Sequence, residues 1–413
     1  MPPHQGAVSR FGGVAPRAGA LGVALLGLLL LAPAFSAPNP APGAKKDEFS
    51  TAAPSAMLMD AATGSILFEK NADQPMAPGS LAKLMTAEVV FNEIKQGRLT
   101  LDKEFLVSEY AWRHGGAPSH GETMFAPIHS MVTVKDLLYG VIVQSANDGA
   151  IALAEGIADS EQKFAEMMTQ RARELGLTKS YFANATGLPD PTELMTVREI
   201  AKLARYTIVT YPDFYPIYGE KEFTFNRIRQ QNRNPLLATV NGTDGLKTGF
   251  TEEGGYGLAA SAVQNGLRLI VVVNGLKSAN ERANEGKRLL EWGFRAFEQR
   301  SLFAEGQTIG DARLFGGAQG SVPLRAAGAV SLLVPRDSSE RLLARIVYTG
   351  PVRAPVQEGQ PIGQLRVWRG DNMVLEVPLQ ASVSVPAGGM TRRALDAAAE
   401  FVIGLFVSGN KRI

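Results

Sequence analysis

The sequence predicts a mixed α and β protein of two domains: a larger one in which helices interrupt a sheet, and a small all-β one behind it. Three observations carry this. The chain has 413 residues, more than one ordinary domain accounts for. Apolar residues recur at helical spacing in several segments between 80 and 207, whereas 56–68 and 244–275 alternate or run continuously apolar, as strands do. After Gln299 only short β-rich runs between Gly and Pro turns remain.

Taken in order, Arg10 and Arg17 precede the apolar run Leu21–Leu31, and Ala34-Phe35-Ser36 offers small residues at −3 and −1. Residues 1–36 therefore read as a secretory signal peptide, with a run too short to favour a spanning helix. Residues 37–47 are a Pro/Ala linker. The text from Ala56 to Phe68, broken by Ala62-Thr63-Gly64, reads as a hairpin. Helices are expected near 80–96, 134–144, 147–157, 161–175 and 196–207, then strands at about 244–250, 256–263 and 267–275, and a helix over 282–298. This places one domain over 48–298 and a β-rich domain over 299–388, with runs at Val330–Val334, Leu343–Tyr348, Gln364–Trp368 and Val374–Leu379. Ala387-Gly388-Gly389 reads as a hinge before a last helix, 389–413. Leu395, Val402, Leu405 and Phe406 share one face of that helix, and Arg392, Arg393, Lys411 and Arg412 give it cationic ends. Such a helix suits the surface of an anionic membrane leaflet.

Composition excludes several chemistries. There is no cysteine, so thiolate catalysis, disulfides and Cys-based zinc sites are absent together. The four histidines show no HExxH spacing, and His114 and His120 read as loop residues, so no metal and no cofactor is expected. The chain carries 42 Lys+Arg against 40 Asp+Glu. Removal of residues 1–36 takes away two Arg and no acid, which leaves 40 against 40. With no basic block and no aromatic-basic interleaving, no nucleic-acid partner is expected.

The chemistry sits in three short motifs in fixed order: Ser80-Leu81-Ala82-Lys83, Ser145-Ala146-Asn147 and Lys247-Thr248-Gly249. Ser160–Lys163 is a second SxxK, and Ser278–Asn280 and Ser408–Asn410 also fit SxN, but KTG occurs once. Ser80 follows the turn Ala77-Pro78-Gly79 and opens an apolar-periodic run, so it stands at a helix start. A serine hydroxyl needs a base at neutral pH. Lys83, three residues on along one helix, shares the face of Ser80. It can act as that base only if burial or a second ammonium lowers its pKa.

The three motifs with their flanks, Pro78–Thr86, Val143–Ala150 and Thr243–Thr251, resemble those of low-molecular-weight penicillin-binding proteins. The resemblance runs from about Ala52 to about Pro386 and is nearest to the periplasmic D-alanyl-D-alanine carboxypeptidases that carry a second β-domain and a C-terminal anchor. It implies a penicillin-binding/β-lactamase-like transpeptidase fold of α/β (α+β) class with an inserted helical subdomain. It further implies that Ser80 is the nucleophile, Lys83 its base, and Lys247 the second cation. Ser145 would relay a proton to the leaving amine, and Asn147 would hold a lysine and a substrate amide. Backbone N–H groups of Ser80 and Phe250 would form the oxyanion hole, where many relatives have histidine in place of Phe250. Thr248, Lys247 and Arg282 would bind the carboxylate of the leaving D-alanine, with Gly249 in the same strand, and Arg233 resembles a further recurrent position. The partners implied are peptidoglycan stem peptides, β-lactam antibiotics and the outer face of the inner membrane.

Removal of the terminal D-alanine from stem pentapeptides is thus the expected reaction. A D,D-endopeptidase on the same scaffold and a catalytically retired scaffold protein are the alternatives. The endopeptidase relatives usually lack the β-domain and terminal helix, and intact Ser80, Lys83, Ser145 and Lys247 oppose retirement. A β-lactamase reading lacks its ExxLN pattern in Gly187–Leu194, and another kind of serine hydrolase lacks GxSxG.

Overall fold

A computed structural model describes residues 49–336, 341–391, 393, 394 and 396. The expected signal segment and most of the expected terminal helix lie outside the described residues. The chain begins with β1 (Ser55–Asp60) and β2 (Ile66–Lys70), an antiparallel hairpin, then one 3-10 turn (Gly79–Ala82) leading into α1 (Lys83–Lys95). The helical region follows: β3 (Glu104–Leu106), α2 (Glu109–Gly115), β4 (Met131–Thr133), α3 (Val134–Tyr139), a π-helical turn (Gly140–Gln144), α4 (Asn147–Ala158), α5 (Glu161–Glu174) and α6 (Val197–Thr210). A small hairpin, β5 (Glu222–Phe225) and β6 (Ile228–Gln231), and a one-turn α7 (Leu236–Thr239) lead back to β7 (Thr243–Thr251), β8 (Gly255–Gln264) and β9 (Leu267–Leu276), then α8 (Ala279–Ala296).

The main sheet has strand order β2-β1-β9-β8-β7, so the helical region is inserted between its two edge strands, β2 and β7, and β1 pairs with β9 across the insertion. Both faces of this sheet are covered, and the alternation of side chains shows it. Ile270 and Val272 of β9 join the core under the helices, while Leu269, Val271 and Val273 join the core under α8. Met57 and Met59 of β1 face the first core, and Ala56 and Leu58 the second. Strands buried on both faces carry no clean alternation, which is why 267–275 reads as a continuous apolar run.

Two expectations are corrected. His114 is not in a loop: it lies in the last turn of α2, where its ring stacks 4.2 Å from that of Tyr110 and Nδ1 lies 3.0 Å from the Tyr110 carbonyl oxygen. Seven residues, with only Ala111 and Gly115 buried, are too short for an apolar period to register. Ala387–Gly389 is not a free hinge. Ala387 bridges Gly317, Gly388 N donates to the Gly316 carbonyl at 2.9 Å, and Asp396 accepts from Gly316 N at 2.8 Å.

The second domain comprises β10 (Phe297–Phe303), β11 (Gly310–Phe315), β12 (Ser321–Ala326), β13 (Val330–Pro335), β14 (Leu342–Tyr348), β15 (Val352–Arg353), β16 (Pro361–Arg369) and β17 (Asn372–Ala381). β10 pairs with β13, and the rest form a sheet of order β14-β16-β17-β12-β11-β15 around an apolar core that includes Val322, Leu324, Val367 and Leu379. Ser65, in the β1–β2 turn, donates its hydroxyl to the Val374 carbonyl and so joins the two domains.

Candidate active site

Ser80 lies in the 3-10 turn, and Lys83 begins α1 directly behind it. The Lys83 side chain is fully buried and its ammonium nitrogen reaches three oxygens: Ser80 Oγ at 3.0 Å, Asn147 Oδ1 at 2.7 Å and the Thr186 carbonyl at 2.5 Å. None of the three is charged. Burial therefore dominates, and it lowers the pKa of Lys83 from 10.5 to about 8. The second SxxK has no such setting. Ser160 caps α5 by accepting from Lys163 N, and Lys163 pairs with Asp159 at the surface. Ser278 likewise caps α8.

Ser145 ends the π-helical turn with φ +70°, a conformation unusual for a residue with a side chain, and its buried hydroxyl has no hydrogen-bond partner among the described residues. Asn147 follows as the first residue of α4, and its backbone N–H donates to the Glu122 carbonyl at 2.7 Å. Next to it the buried Asp148 carboxylate accepts from Thr123 Oγ1 at 2.6 Å and from the amides of Met124, Ala126 and Gly149 at 3.0 Å each. Asp148 thus fastens the segment before β4 to the helix that presents Asn147.

Lys247 and Thr248 are buried in β7, one of the two edge strands of the main sheet. Lys247 Nζ also lacks a partner among the described residues. Its pKa is pushed well below 10.5, by burial first and then by the ammonium of Lys83, with Arg233 and Arg282 adding to the effect. The influence of one lysine on the other thus registers at Lys247, while at Lys83 burial is the cause.

The approach of β7 to the serine turn depends on glycines. Gly79 has φ +54°, and a β-carbon there would lie 2.7 Å and 2.8 Å from the Phe250 backbone oxygen and nitrogen. Gly249 packs against the Pro78 carbonyl and Leu81 N in the same way. Gly187, at φ +78°, lets the loop after α5 press against the Gly79 carbonyl. The backbones of Ser80 and Phe250 are thereby brought together. The Phe250 ring is half exposed, 4.3 Å from that of Tyr256, and Arg282 in the first turn of α8 lies over Tyr256 at 5.6 Å. Arg282 is half-buried and its Nε has no partner among the described residues. Arg233 N donates to the Val143 carbonyl at 3.2 Å, which holds that residue beside the Ser145 turn.

Three participants were not found by sequence reasoning. Thr186 contributes a backbone carbonyl, which no residue type announces. Asn184 Oδ1 collects the amides of Thr186, Gly187 and Leu188, and so shapes the turn that aims this carbonyl. Glu193, in the segment without ExxLN, is buried, accepts from Ala183 N at 3.3 Å, and is pushed up to about 8 by burial. Among the described residues no cluster of acids and histidines can hold a metal ion.

A family model described as D-alanyl-D-alanine carboxypeptidase matches residues 41–278, more than half of the chain. The chain belongs to the D-alanyl-D-alanine carboxypeptidase family. A second model, the C-terminal domain of penicillin-binding protein 5, matches residues 297–387, the β-domain described above. The chain is 40% identical over 343 residues to the D-alanyl-D-alanine carboxypeptidase DacC of Escherichia coli (strain K12), covering 82% of this chain and 86% of that protein. Its fold is similar to that of penicillin-binding protein 5 from Haemophilus influenzae, with TM-score 0.74, 35% identity, and 83% and 100% of the two chains covered. It is also similar to a penicillin-binding protein from Streptococcus pneumoniae described as a peptidoglycan synthesis regulatory factor, at TM-score 0.70 and 26% identity, covering 82% and 100%. The expected penicillin-binding fold with a trailing all-β domain is therefore the observed one. The chain is a serine-type D-Ala-D-Ala carboxypeptidase, and penicillin binding is general to its family.

Proposed function

We propose that Ser80 is the nucleophile of this carboxypeptidase and Lys83 its general base, acting on the terminal D-alanyl-D-alanine of peptidoglycan stem pentapeptides. The observation that carries the assignment is the 3.0 Å contact of Lys83 Nζ with Ser80 Oγ, on a lysine held by neutral oxygens alone and shifted to about 8. A buried lysine so placed spends part of its time as a free amine near neutral pH. That amine takes the Ser80 proton as Oγ attacks the penultimate D-alanine carbonyl. The charge that develops on the carbonyl oxygen is met by the N–H groups of Ser80 and Phe250. Breakdown of the tetrahedral intermediate breaks the C–N bond. Ser145 relays to the departing amine the proton that Lys83 took from Ser80, with Lys247 behind it, which leaves Lys83 a free amine again. Lys83 then takes a proton from water as the water oxygen attacks the Ser80 ester, and returns that proton to Ser80 Oγ as the acyl–oxygen bond breaks.

The substrate backbone lies along the free edge of β7 at Gly249–Phe250, as an added strand, with Asn147 on the opposite wall. Thr248, Lys247 and Arg282 receive the free carboxylate of the leaving D-alanine through charge-assisted hydrogen bonds. Phe250 serves through its backbone, so its ring is not required for the oxyanion contact. β-Lactams present the same amide and carboxylate and acylate the same hydroxyl.

The test is covalent labelling by a fluorescent penicillin, together with release of D-alanine from a defined pentapeptide. Wild-type protein labels and Ser80→Ala does not; equal labelling of the two would remove the nucleophile assignment. We place the enzyme in the periplasm, held to the inner membrane by the 389–413 segment. Among the described residues no helix is long and apolar enough to cross a membrane. Truncation before Gly388 is expected to release the protein from vesicles and leave activity on soluble peptide intact. Sedimentation of the truncated protein with membranes would place the attachment elsewhere.

A further inference from the structure

Glu122 lies between α2 and β4, and the reaction described above gives it no part. Its position is nevertheless fixed. Its carbonyl accepts the Asn147 amide at 2.7 Å, and Asn147 in turn holds Lys83. On one side a β-carbon at Gly121 would lie 3.0 Å from Asn147 Nδ2; on the other, Thr123, Met124 and Ala126 are bound to the Asp148 carboxylate. The backbone carrying Glu122 is thus pinned to the start of α4 at both flanks. Its side chain differs. It is half-buried, and its carboxylate has no hydrogen-bond or ion-pair partner among the described residues.

The surrounding charges make this unusual. Four carboxylates act on Lys83: Glu122, Glu193, Glu161 and Asp148. Glu193 accepts from Ala183 N, Glu161 from Ala185 N and Tyr110, and Asp148 from four donors. Glu122 alone of the four has no donor. Its charge favours the ammonium of Lys83, and at Lys247 it opposes the effect of Lys83, Arg233 and Arg282.

We propose that Glu122 is a positioning residue for acyl transfer: its unpaired carboxylate, carried on the backbone that bonds the Asn147 amide, stabilises the proton on Lys83 and thereby sets the pH below which Ser80 stops reacting. This rests on the reading of Lys83 as base. A negative charge nearby favours the ammonium over the amine, so it raises the pKa that burial lowers. Its removal therefore widens the active range toward acid.

The experiment measures the second-order rate constant for acylation of the full chain by penicillin between pH 5.5 and 10. Glu122→Gln is expected to move the acid limb down by about half to one pH unit, so that acylation at pH 6.5 rises roughly three- to tenfold while the alkaline plateau is little changed. Glu122→Ser, which removes the charge with a smaller side chain, should move the limb equally, and Glu122→Asp should leave it near the wild-type position. An acid limb unmoved in both neutral variants overturns the role of Glu122 and leaves Ser80 and Lys83 intact. Loss of labelling specificity in Ser80→Ala is a separate result and strikes the underlying reading instead. A limb that moves in Glu122→Asp as far as in Glu122→Gln also overturns the proposal, since the effect would then follow geometry rather than charge.

Discussion

Lys83 and Glu88 are five residues apart on α1 and both are buried, yet they are treated in opposite ways. Glu88 is closed off by partners. Arg171 of α5 reaches its carboxylate at 3.0–3.1 Å, and Tyr211 donates to it at 2.9 Å. Arg171 is itself satisfied by Glu174 and Tyr206. Lys83 has hydrogen bonds but no counter-ion in contact, and Lys247 has not even those among the described residues. Burial disfavours a charge in either place. At Glu88 a paired and hydrogen-bonded network opposes it in part, and burial still leaves the carboxyl pKa raised. At Lys83 it is left standing, and it appears as a lowered pKa. The first arrangement holds α1, α5 and the residues after α6 together. The second keeps an amine beside a hydroxyl.

The comparison makes unequal predictions for the two ends of the helix. Lys83→Met should reduce acylation by penicillin by about 10²–10⁴-fold, the range for loss of a general base, while the thermal midpoint stays level or rises. The displacement from 10.5 to about 8 corresponds to roughly 3 kcal/mol against the charged form in the folded state. A midpoint that drops sharply would mean that Lys83 holds the fold rather than the chemistry. Glu88→Ala should do the reverse. It leaves Arg171 without its main buried partner and should cost about 3–5 kcal/mol in denaturant unfolding, with the acylation rate per folded molecule unchanged. A large rate loss in stably folded Glu88→Ala would erase the distinction.

The pH profile tests the same point without mutation. A base whose pKa is about 8 is mostly protonated below that value, so acylation should fall by about tenfold for each pH unit below 8 and reach roughly a hundredth of the plateau at pH 6. The stability change runs in step. Between about 8 and 10.5 the unfolded chain holds a proton on Lys83 that the folded chain has lost, so stability should increase as pH rises through this window. A profile flat from pH 6 to 9 would show that the amine does not limit the reaction.

How much of this could be read from the chain depends on how local the chemistry is. Ser80 and Lys83 share one turn, Ser145 and Asn147 flank a helix start, and Lys247–Gly249 share a strand, so spacing alone brings each pair together. Thr186 and Gly187 act on Lys83 and Gly79 from more than a hundred residues away, one through a carbonyl and the other by having no side chain. Neither property has a sequence signature. Glu193 fits no motif because it differs in spacing, although its burial places it in the electrostatics of the site. The fold behaved similarly. Long periodic helices such as α5 and α6 were found within a few residues. β3 and β4, of three residues each, are below what alternation can detect. In the β-domain β13, β14, β16 and β17 were legible and β10, β11, β12 and β15 were not, and neither was the order β14-β16-β17-β12-β11-β15, because pairing is set by which edges meet and not by composition.

The smallest predicted effect concerns two arginines that extend the comparison outward. Arg171 spends its guanidinium on Glu88, Glu174 and Tyr206, whereas Arg282 rests on the Tyr256 ring with Nε unpartnered among the described residues, and burial lowers its pKa. A half-buried cation left open in this way is suited to an anion that arrives with the substrate. Arg282→Ala should therefore lower kcat/KM for a free-carboxylate peptide by about 10- to 100-fold, corresponding to about 1.5–3 kcal/mol for one charge-assisted hydrogen bond. It should affect the C-terminal amide analogue far less and leave the unfolding midpoint nearly unchanged. Lys247→Ala is the less clean companion, since Lys247 also shares the field of Lys83. Equal loss on both substrates would assign Arg282 to the packing of α8 on Tyr256, and would place it with Arg171 on the structural side of the comparison.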